Sequence, residues 1–126
     1  MATKVQSFMS SQPSVDFPVT YSENTVNLQV TARLTVLEAV SFKQICQNLI
    51  ETDSPPGEIF IDFQNTIFMD SSGLGSLVSN FKSSQEKGIK VTLRHVTPQV
   101  MAVLNLTGLD QVFSIESSHN LSLIHI

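Results

Sequence analysis

The spacing of apolar residues changes repeatedly between a strand period and a helix period along this chain of 126 residues. Alternating or short continuous apolar runs are typical of strands, and they occur at 17–21, 26–30, 59–63, 90–96 and 112–115. Spacing by three and four residues is typical of amphipathic helices, and it occurs over 36–52, 74–87 and 98–106. The predicted order is therefore β-β-α-β-α-β-α-β, with a terminal helix as an option. We expect one α/β domain, with helices packed against a mixed sheet.

Turn and cap residues support these boundaries. Thr35 followed three residues later by Glu38 is a capping box at the start of the first helix, and the Pro-Pro-Gly at 55–57 prevents its continuation. Gly88 ends the second helix, and Thr97 before a proline caps the third. The run at 59–63 contains almost only apolar residues, which predicts a central strand covered on both faces.

Composition excludes several classes of function. Seven basic residues against eleven acidic ones give a net charge of −4, so the chain has no excess of cations to neutralise a nucleic-acid backbone. Cys46 is the only cysteine, and with three scattered histidines it assembles neither a disulfide nor a metal site. No apolar stretch approaches the roughly 20 residues that span a bilayer. We expect a cytoplasmic protein without metal, cofactor, nucleic-acid or membrane partners.

The two ends of the sequence differ from its centre. Residues 1–16 are rich in Ser, Gln and Thr without a sustained period, which predicts a flexible leader. Residues 121–126 read Leu-Ser-Leu-Ile-His-Ile, the translation of a transposase adapter used in DNA library preparation, which predicts a non-native tail. The single predicted domain therefore covers 17–120.

The most informative motif lies between the central strand and the second helix, where residues 70–75 read Asp-Ser-Ser-Gly-Leu-Gly. This motif resembles the signature of the STAS family, in particular of the bacterial anti-sigma factor antagonists. The resemblance extends in element order from Phe17 to Ile115, and residues 104–109, Leu-Asn-Leu-Thr-Gly-Leu, resemble the end of the family's third helix. It implies a STAS-like fold with the mixed sheet described above.

The resemblance also implies a phosphorylation-switched binding module and no enzyme. Such domains, when unphosphorylated, bind an anti-sigma factor serine kinase and so release a sigma factor, and a metal-dependent serine phosphatase resets them. The implied acceptor is Ser71, with Ser72 as a second candidate. The implied docking surface comprises Asp70, Ser72, Gly73, Leu74 and Gly75. A monomer or a weak dimer suits this role.

The residues support that chemistry, although a simpler interpretation exists. A serine in the first turn of a helix projects its hydroxyl beside unsatisfied backbone amides, and a phosphate on it would add a charge of about −1.5 to −2 beside Asp70. Helix capping alone would also account for Asp70, Ser71 and Ser72. Before the first helix the family usually has a Gly, an apolar residue and an Asp, but residues 31–35 here read Thr-Ala-Arg-Leu-Thr. Arg33 and Thr35 therefore join the predicted partner surface.

Two rival functions remain open from the sequence. One is a STAS-type sensor or adaptor domain in signalling, lipid or transport machinery, without sigma factor control. The other is a serine hydrolase using Ser71, but residues 69–73 read Met-Asp-Ser-Ser-Gly and not Gly-x-Ser-x-Gly. Asp62 either ends the central strand or lines the surface beside Asp70, and His95 has no companion at metal-ligand spacing.

Overall fold

The computed structural model describes residues 17–116, so the predicted leader and tail lie outside the described residues. Seven strands are present within that range: β1 Val19–Ser22, β2 Thr25–Gln29, β3 Arg33–Leu34, β4 Glu58–Asp62, β5 Phe68–Met69, β6 Lys90–Arg94 and β7 Ser114–Ile115. Three α-helices alternate with them: α1 Val36–Ile50, α2 Ser71–Glu86 and α3 Pro98–Thr107. A short 3-10 turn, Leu109–Gln111, precedes β7.

The main sheet has five strands in the order β1-β2-β4-β6-β7. The β1–β2 hairpin is antiparallel, as the sequence predicts, and the other pairings are parallel. Parallel neighbours need crossover connections, and α1, α2 and α3 occupy them. The predicted mixed α/β fold is therefore confirmed.

The core lies between α1, α2 and one face of the main sheet. Leu28, Ile61 and Leu93 project from three adjacent strands and are fully buried. Phe42 of α1 and Leu77 of α2 complete the same apolar cluster. In α1 the apolar residues at helical spacing are the ones that the structure buries. In α2 only Leu77 of the apolar set is fully buried, and Leu74, Val78 and Phe81 are half-buried.

Apart from Leu77, the buried residues of α2 are small or polar, which the sequence did not indicate. Gly73, Ser76, Asn80 and Ser84 recur at helical spacing and are all buried. Their small side chains allow close packing of the helix. The Ser76 hydroxyl donates to the Gly73 carbonyl at 2.7 Å, which satisfies one of these polar groups inside the helix.

β4 is the middle strand of the main sheet, but the prediction that it is covered on both faces is wrong, because only one face packs against the core. Ile59 and Ile61 point into the core, so Phe60 between them lies on the opposite face of β4, where it is half-buried. The Arg94 guanidinium carbon lies 3.9 Å from the Phe60 ring centroid. Tyr21, the last apolar residue of the alternating run at 17–21, is 65% exposed on β1, so that run does not bury all of its apolar residues.

Two further strands were missed because each has only two residues, too few to show alternation. β3 and β5 form a separate parallel pair inside stretches that the sequence indicated as connections. Three predicted elements are shorter than expected. α1 ends at Ile50, and β6 ends at Arg94, where the next residue, His95, adopts a positive φ of 53°. β7 begins only at Ser114, because residues 112 and 113 still belong to the turn that follows the 3-10 segment.

Candidate functional site

The predicted site residues meet where α1 and α2 begin. In the parallel β3–β5 pair, Arg33 lies opposite Phe68 and Leu34 lies opposite Met69. Each strand leads into its helix after one intervening residue, so the two helix starts lie side by side. The structure therefore brings the segment with Arg33 next to the Asp-Ser-Ser-Gly-Leu-Gly motif, although Thr35 and Ser71 are 36 positions apart in the sequence.

Asp70 is the N-cap of α2. Its backbone is extended, with φ −104° and ψ −170°, and its Oδ1 accepts a hydrogen bond from the Gly73 N–H at 3.0 Å. The Leu74 N–H donates to the Asp70 carbonyl at 2.9 Å, which closes the first helical turn. Capping is therefore a real role of Asp70, and it fixes Ser71 as the first residue of the helix.

Ser71 is exposed, whereas Ser72 is half-buried. The first amides of a helix have no partner within it, and their aligned dipoles place partial positive charge at this end. Because α1 begins beside α2, two helix N-termini contribute to the same region. An oxygen anion attached to Ser71 would therefore meet a favourable backbone field, while Asp70 supplies the opposing negative charge.

The two glycines of the motif have different surroundings. Gly73 is buried, and a Cβ built on it would lie 2.1 Å from the Leu34 carbonyl oxygen, so only glycine permits this approach of α2 to β3. Gly75 is exposed, and a Cβ there would meet nothing within 4 Å. Gly73 thus has an internal role, whereas Gly75 faces outward. Leu74 is half-buried against the core.

The segment before α1 is held by local hydrogen bonds. The predicted capping box is present: the half-buried Thr35 donates from its backbone N–H to Glu38 Oε1 at 2.9 Å and from its hydroxyl to the same oxygen at 2.6 Å. These bonds hold the pKa of Glu38 below its ordinary value. The Thr31 hydroxyl donates to the Arg33 carbonyl at 2.6 Å, and Arg33 is exposed with its guanidinium carbon 5.1 Å from the Phe68 ring centroid.

Exposed apolar side chains lie beside these residues, and no motif in the sequence marked them as part of a site. We call them the apolar patch, and its members are Val36, Leu37, Val40, Ile67 and Phe68. They make up five of the eight large apolar residues that are exposed in the described range. The sequence could have indicated three of them, because Val36, Leu37 and Val40 lie on α1 but outside the apolar stripe that packs into the core.

Other residues that the sequence singled out have structural roles. Cys46 is buried, and burial raises the pKa of its thiol, which keeps it unreactive. Asp62 ends β4, accepts from the Gln64 N–H at 2.9 Å and lies 3.0 Å from His95 Nδ1.

Residues 17–116 contain no group of three His, Cys, Asp or Glu side chains that could hold a metal ion. Within the same range, no helix has the length and apolarity needed to cross a membrane.

Comparison with known proteins adds independent information on the family. Residues 16–121 match the family model described as the STAS domain. The Anti-sigma-B factor antagonist of Bacillus subtilis is 21% identical over 104 residues, which cover 82% of this chain and 93% of that protein.

Solved structures resemble the described fold. An anti-sigma-factor antagonist (STAS) domain protein from Planctomyces limnophilus superposes with a TM-score of 0.72 at 23% identity, covering 89% of this chain and 98% of that one. The cell fate determinant SpoIIAA of Bacillus, in its phosphorylated form, superposes with a TM-score of 0.65 at 18% identity, covering 84% and 96%. At these identities the likeness concerns the fold.

Proposed function

Since this chain belongs to the STAS domain family, we propose that it is an anti-sigma factor antagonist, which binds an anti-sigma factor serine kinase when unphosphorylated and so releases a sigma factor. The observation that carries the proposal is the exposed hydroxyl-bearing Ser71 at the start of α2, directly after the capping Asp70. Similarity to the Anti-sigma-B factor antagonist along most of the chain supports the same role.

Phosphorylation of Ser71 is the proposed switch. The kinase transfers the γ-phosphoryl group of ATP to the Ser71 oxygen, with loss of the hydroxyl proton and departure of ADP, and a metal-dependent serine phosphatase restores the hydroxyl by hydrolysis. The exposure of Ser71 makes it the preferred acceptor over the half-buried Ser72. The known phosphorylated form of the similarly folded SpoIIAA is consistent with this chemistry.

A phosphate on Ser71 should weaken binding of the kinase much more than it changes the stability of the folded domain. A helix N-terminus stabilises an anion by about 0.3–1 kcal/mol, which opposes the repulsion from Asp70. Turning a mostly bound population into a mostly free one requires roughly 5.5 kcal/mol of lost binding energy. An uncompensated charge buried at a docked surface costs roughly 3–5 kcal/mol, which supplies most of that difference.

The proposed role needs no catalytic residue in this chain. Asp70, the acid next to Ser71, is engaged by the Gly73 amide, and His95 contacts Asp62 at the end of β4.

Kinases and sigma factors act inside the cell, so we place the protein in the cytoplasm.

A binding titration with matched variants tests the proposal. Serine kinases of the source genome that resemble histidine-kinase ATPases are purified singly and titrated by calorimetry with wild type, Ser71→Ala, Ser71→Asp and Ser54→Asp. We expect one kinase to bind wild type and Ser71→Ala similarly and Ser71→Asp at least about tenfold more weakly, a loss of about 1.4 kcal/mol. Ser54→Asp makes the same charge change at an exposed serine in the loop after α1, and it should bind like wild type. Equal affinity of wild type and Ser71→Asp would contradict a charge-based release.

Sigma factor release is then measured directly. A labelled sigma factor bound to the same kinase should be displaced by the unphosphorylated protein and retained in the presence of Ser71→Asp. Binding of wild type without displacement of the sigma factor would contradict the antagonist role while leaving kinase recognition intact.

A further inference from the structure

We propose that the kinase partner docks on the apolar patch through an apolar surface of its own that carries an acidic side chain, and that this acid pairs with Arg33. The inference rests on the proposed function and specifies the chemistry of the partner. It assigns a binding role to Val36, Leu37, Val40, Ile67 and Phe68, which lie beside the predicted motif but outside it.

The patch is contiguous with the proposed phosphorylation site. Arg33 and Phe68 are register partners in the β3–β5 pair, and the guanidinium lies over the Phe68 ring. α1 begins three residues after Arg33, and α2 begins at Ser71, three residues after Phe68. A partner that contacts Ser71 would therefore also meet the first turns of α1.

Apolar exposure on α1 is confined to its N-terminal end. Leu37 is 71% exposed and Val40 is 67% exposed, and residues one turn apart share a helix face. Further along the same helix, the exposed side chains are the polar Lys43, Gln44 and Asn48. A helix that only faced water would carry polar residues at both ends of its outer face, so a clustered apolar end indicates a binding surface.

Arg33 supplies the charge that selects the partner. Among the described residues, Arg94 forms an ion pair with Glu116, but Arg33 forms none. The acids of the two adjoining segments accept hydrogen bonds from other groups, Glu38 from Thr35 and Asp70 from Gly73, and neither forms an ion pair with Arg33. Arg33 thus offers its donors outward, and a guanidinium over an aromatic ring is well placed for a carboxylate.

A second copy of this chain fits the patch less well. In a two-fold dimer both copies use the same surface, so the acid that pairs with Arg33 would have to come from this surface of the other copy. The acids of this surface, Glu38 and Asp70, already accept hydrogen bonds from Thr35 and Gly73, so pairing with Arg33 of another copy would compete with those bonds. A partner with its own acid avoids this cost, which favours a hetero-complex.

The test uses the kinase that binds wild type in the titration above. Leu37→Ala and Val40→Ala are compared with Val112→Ala, an exposed valine beside the other edge of the main sheet. Arg33→Glu is compared with Lys43→Glu, which makes the same charge change further along α1. We expect Leu37→Ala and Arg33→Glu each to weaken binding by about tenfold or more, and the two controls to change it by less than about twofold.

Two further measurements test the proposed ion pair of Arg33 separately from the apolar contacts. Raising salt from about 50 to about 500 mM should weaken binding of wild type more than that of Arg33→Gln. Replacing the partner's facing acid by arginine should restore affinity to Arg33→Glu. Circular dichroism and thermal unfolding check that the variants remain folded, which their exposed positions favour.

The outcomes separate this inference from the proposed function. If the kinase binds wild type and the patch variants as tightly as the controls, the docking inference is overturned while the antagonist role stands. If no kinase binds wild type, both are overturned. If light scattering shows a concentration-dependent dimer that Leu37→Ala abolishes, the patch is a self-association surface and the inference is again overturned.

Discussion

The contrast between Gly73 and Gly75 gives a prediction in which the same substitution has opposite effects two residues apart. Alanine is a better helix former than glycine by about 0.8–1.0 kcal/mol, so propensity alone would stabilise both variants. At Gly75 a Cβ meets nothing within 4 Å, and we expect Gly75→Ala to gain about 0.5–1 kcal/mol.

At Gly73 a Cβ would lie 2.1 Å from the Leu34 carbonyl oxygen, a distance that atoms cannot keep. The obstacle is backbone, and relief requires α2 to move away from β3. That movement disturbs the fully buried Leu34 and the 3.4 Å hydrogen bond from the Asp70 N–H to the same carbonyl. Overpacking costs about 1–3 kcal/mol, and with no side chain free to yield we expect the upper end, about 3 kcal/mol. After the propensity gain, Gly73→Ala should lose about 2 kcal/mol.

Urea unfolding and thermal unfolding, both followed by circular dichroism, measure the two variants against wild type. At about 4–8 °C per kcal/mol for a domain near this size, Gly73→Ala should melt roughly 10 °C lower and Gly75→Ala a few degrees higher. The slope of the unfolding transition should be unchanged, since the domain exposes the same surface. Shifts of the same sign in both variants would refute the close approach of α2 to β3.

Two further predictions concern single side chains. Because hydrogen bonds from Thr35 hold the pKa of Glu38 below its ordinary value of 4.5, its stabilising contribution is complete above that pH and is lost as pH falls through the lowered pKa. Unfolding free energies at pH 7 and at about pH 3 should therefore differ more for wild type than for Glu38→Gln, and equal differences would contradict the assignment. The buried Cys46 thiol, whose pKa is raised by burial, should react with a thiol reagent only at the rate of unfolding, and rapid labelling of the native protein would contradict its place in the core.

Much of the fold could be predicted from the sequence because its signals are local. The apolar alternation around Leu28 and the capping signals at Thr35 and Thr97 are written in neighbouring residues, and the structure confirms each of them. The ends of α1 and β6 were predicted two residues too far along the chain. For β6 the reason is the positive φ of His95, which leaves no mark in the hydrophobic pattern.

The site was predictable only in part, because its geometry depends on contacts distant in sequence. The motif around Ser71 identified the segment, and the resemblance to a family suggested Arg33 and Thr35 beside it. The β3–β5 pair that brings them together has two residues per strand and could not be recognised from alternation. The separate roles of Gly73 and Gly75 likewise emerge only when Leu34 is seen against α2.

The central claim, that Ser71 is the regulated hydroxyl, is tested most directly by mapping phosphate. The cognate kinase and ATP are incubated with wild type, Ser71→Ala and Ser72→Ala, and the modified peptide is located by mass spectrometry. We expect a single phosphate on Ser71 in wild type and in Ser72→Ala, and none in Ser71→Ala. Phosphate persisting at the wild-type level in Ser71→Ala, or lost in Ser72→Ala, would contradict the account.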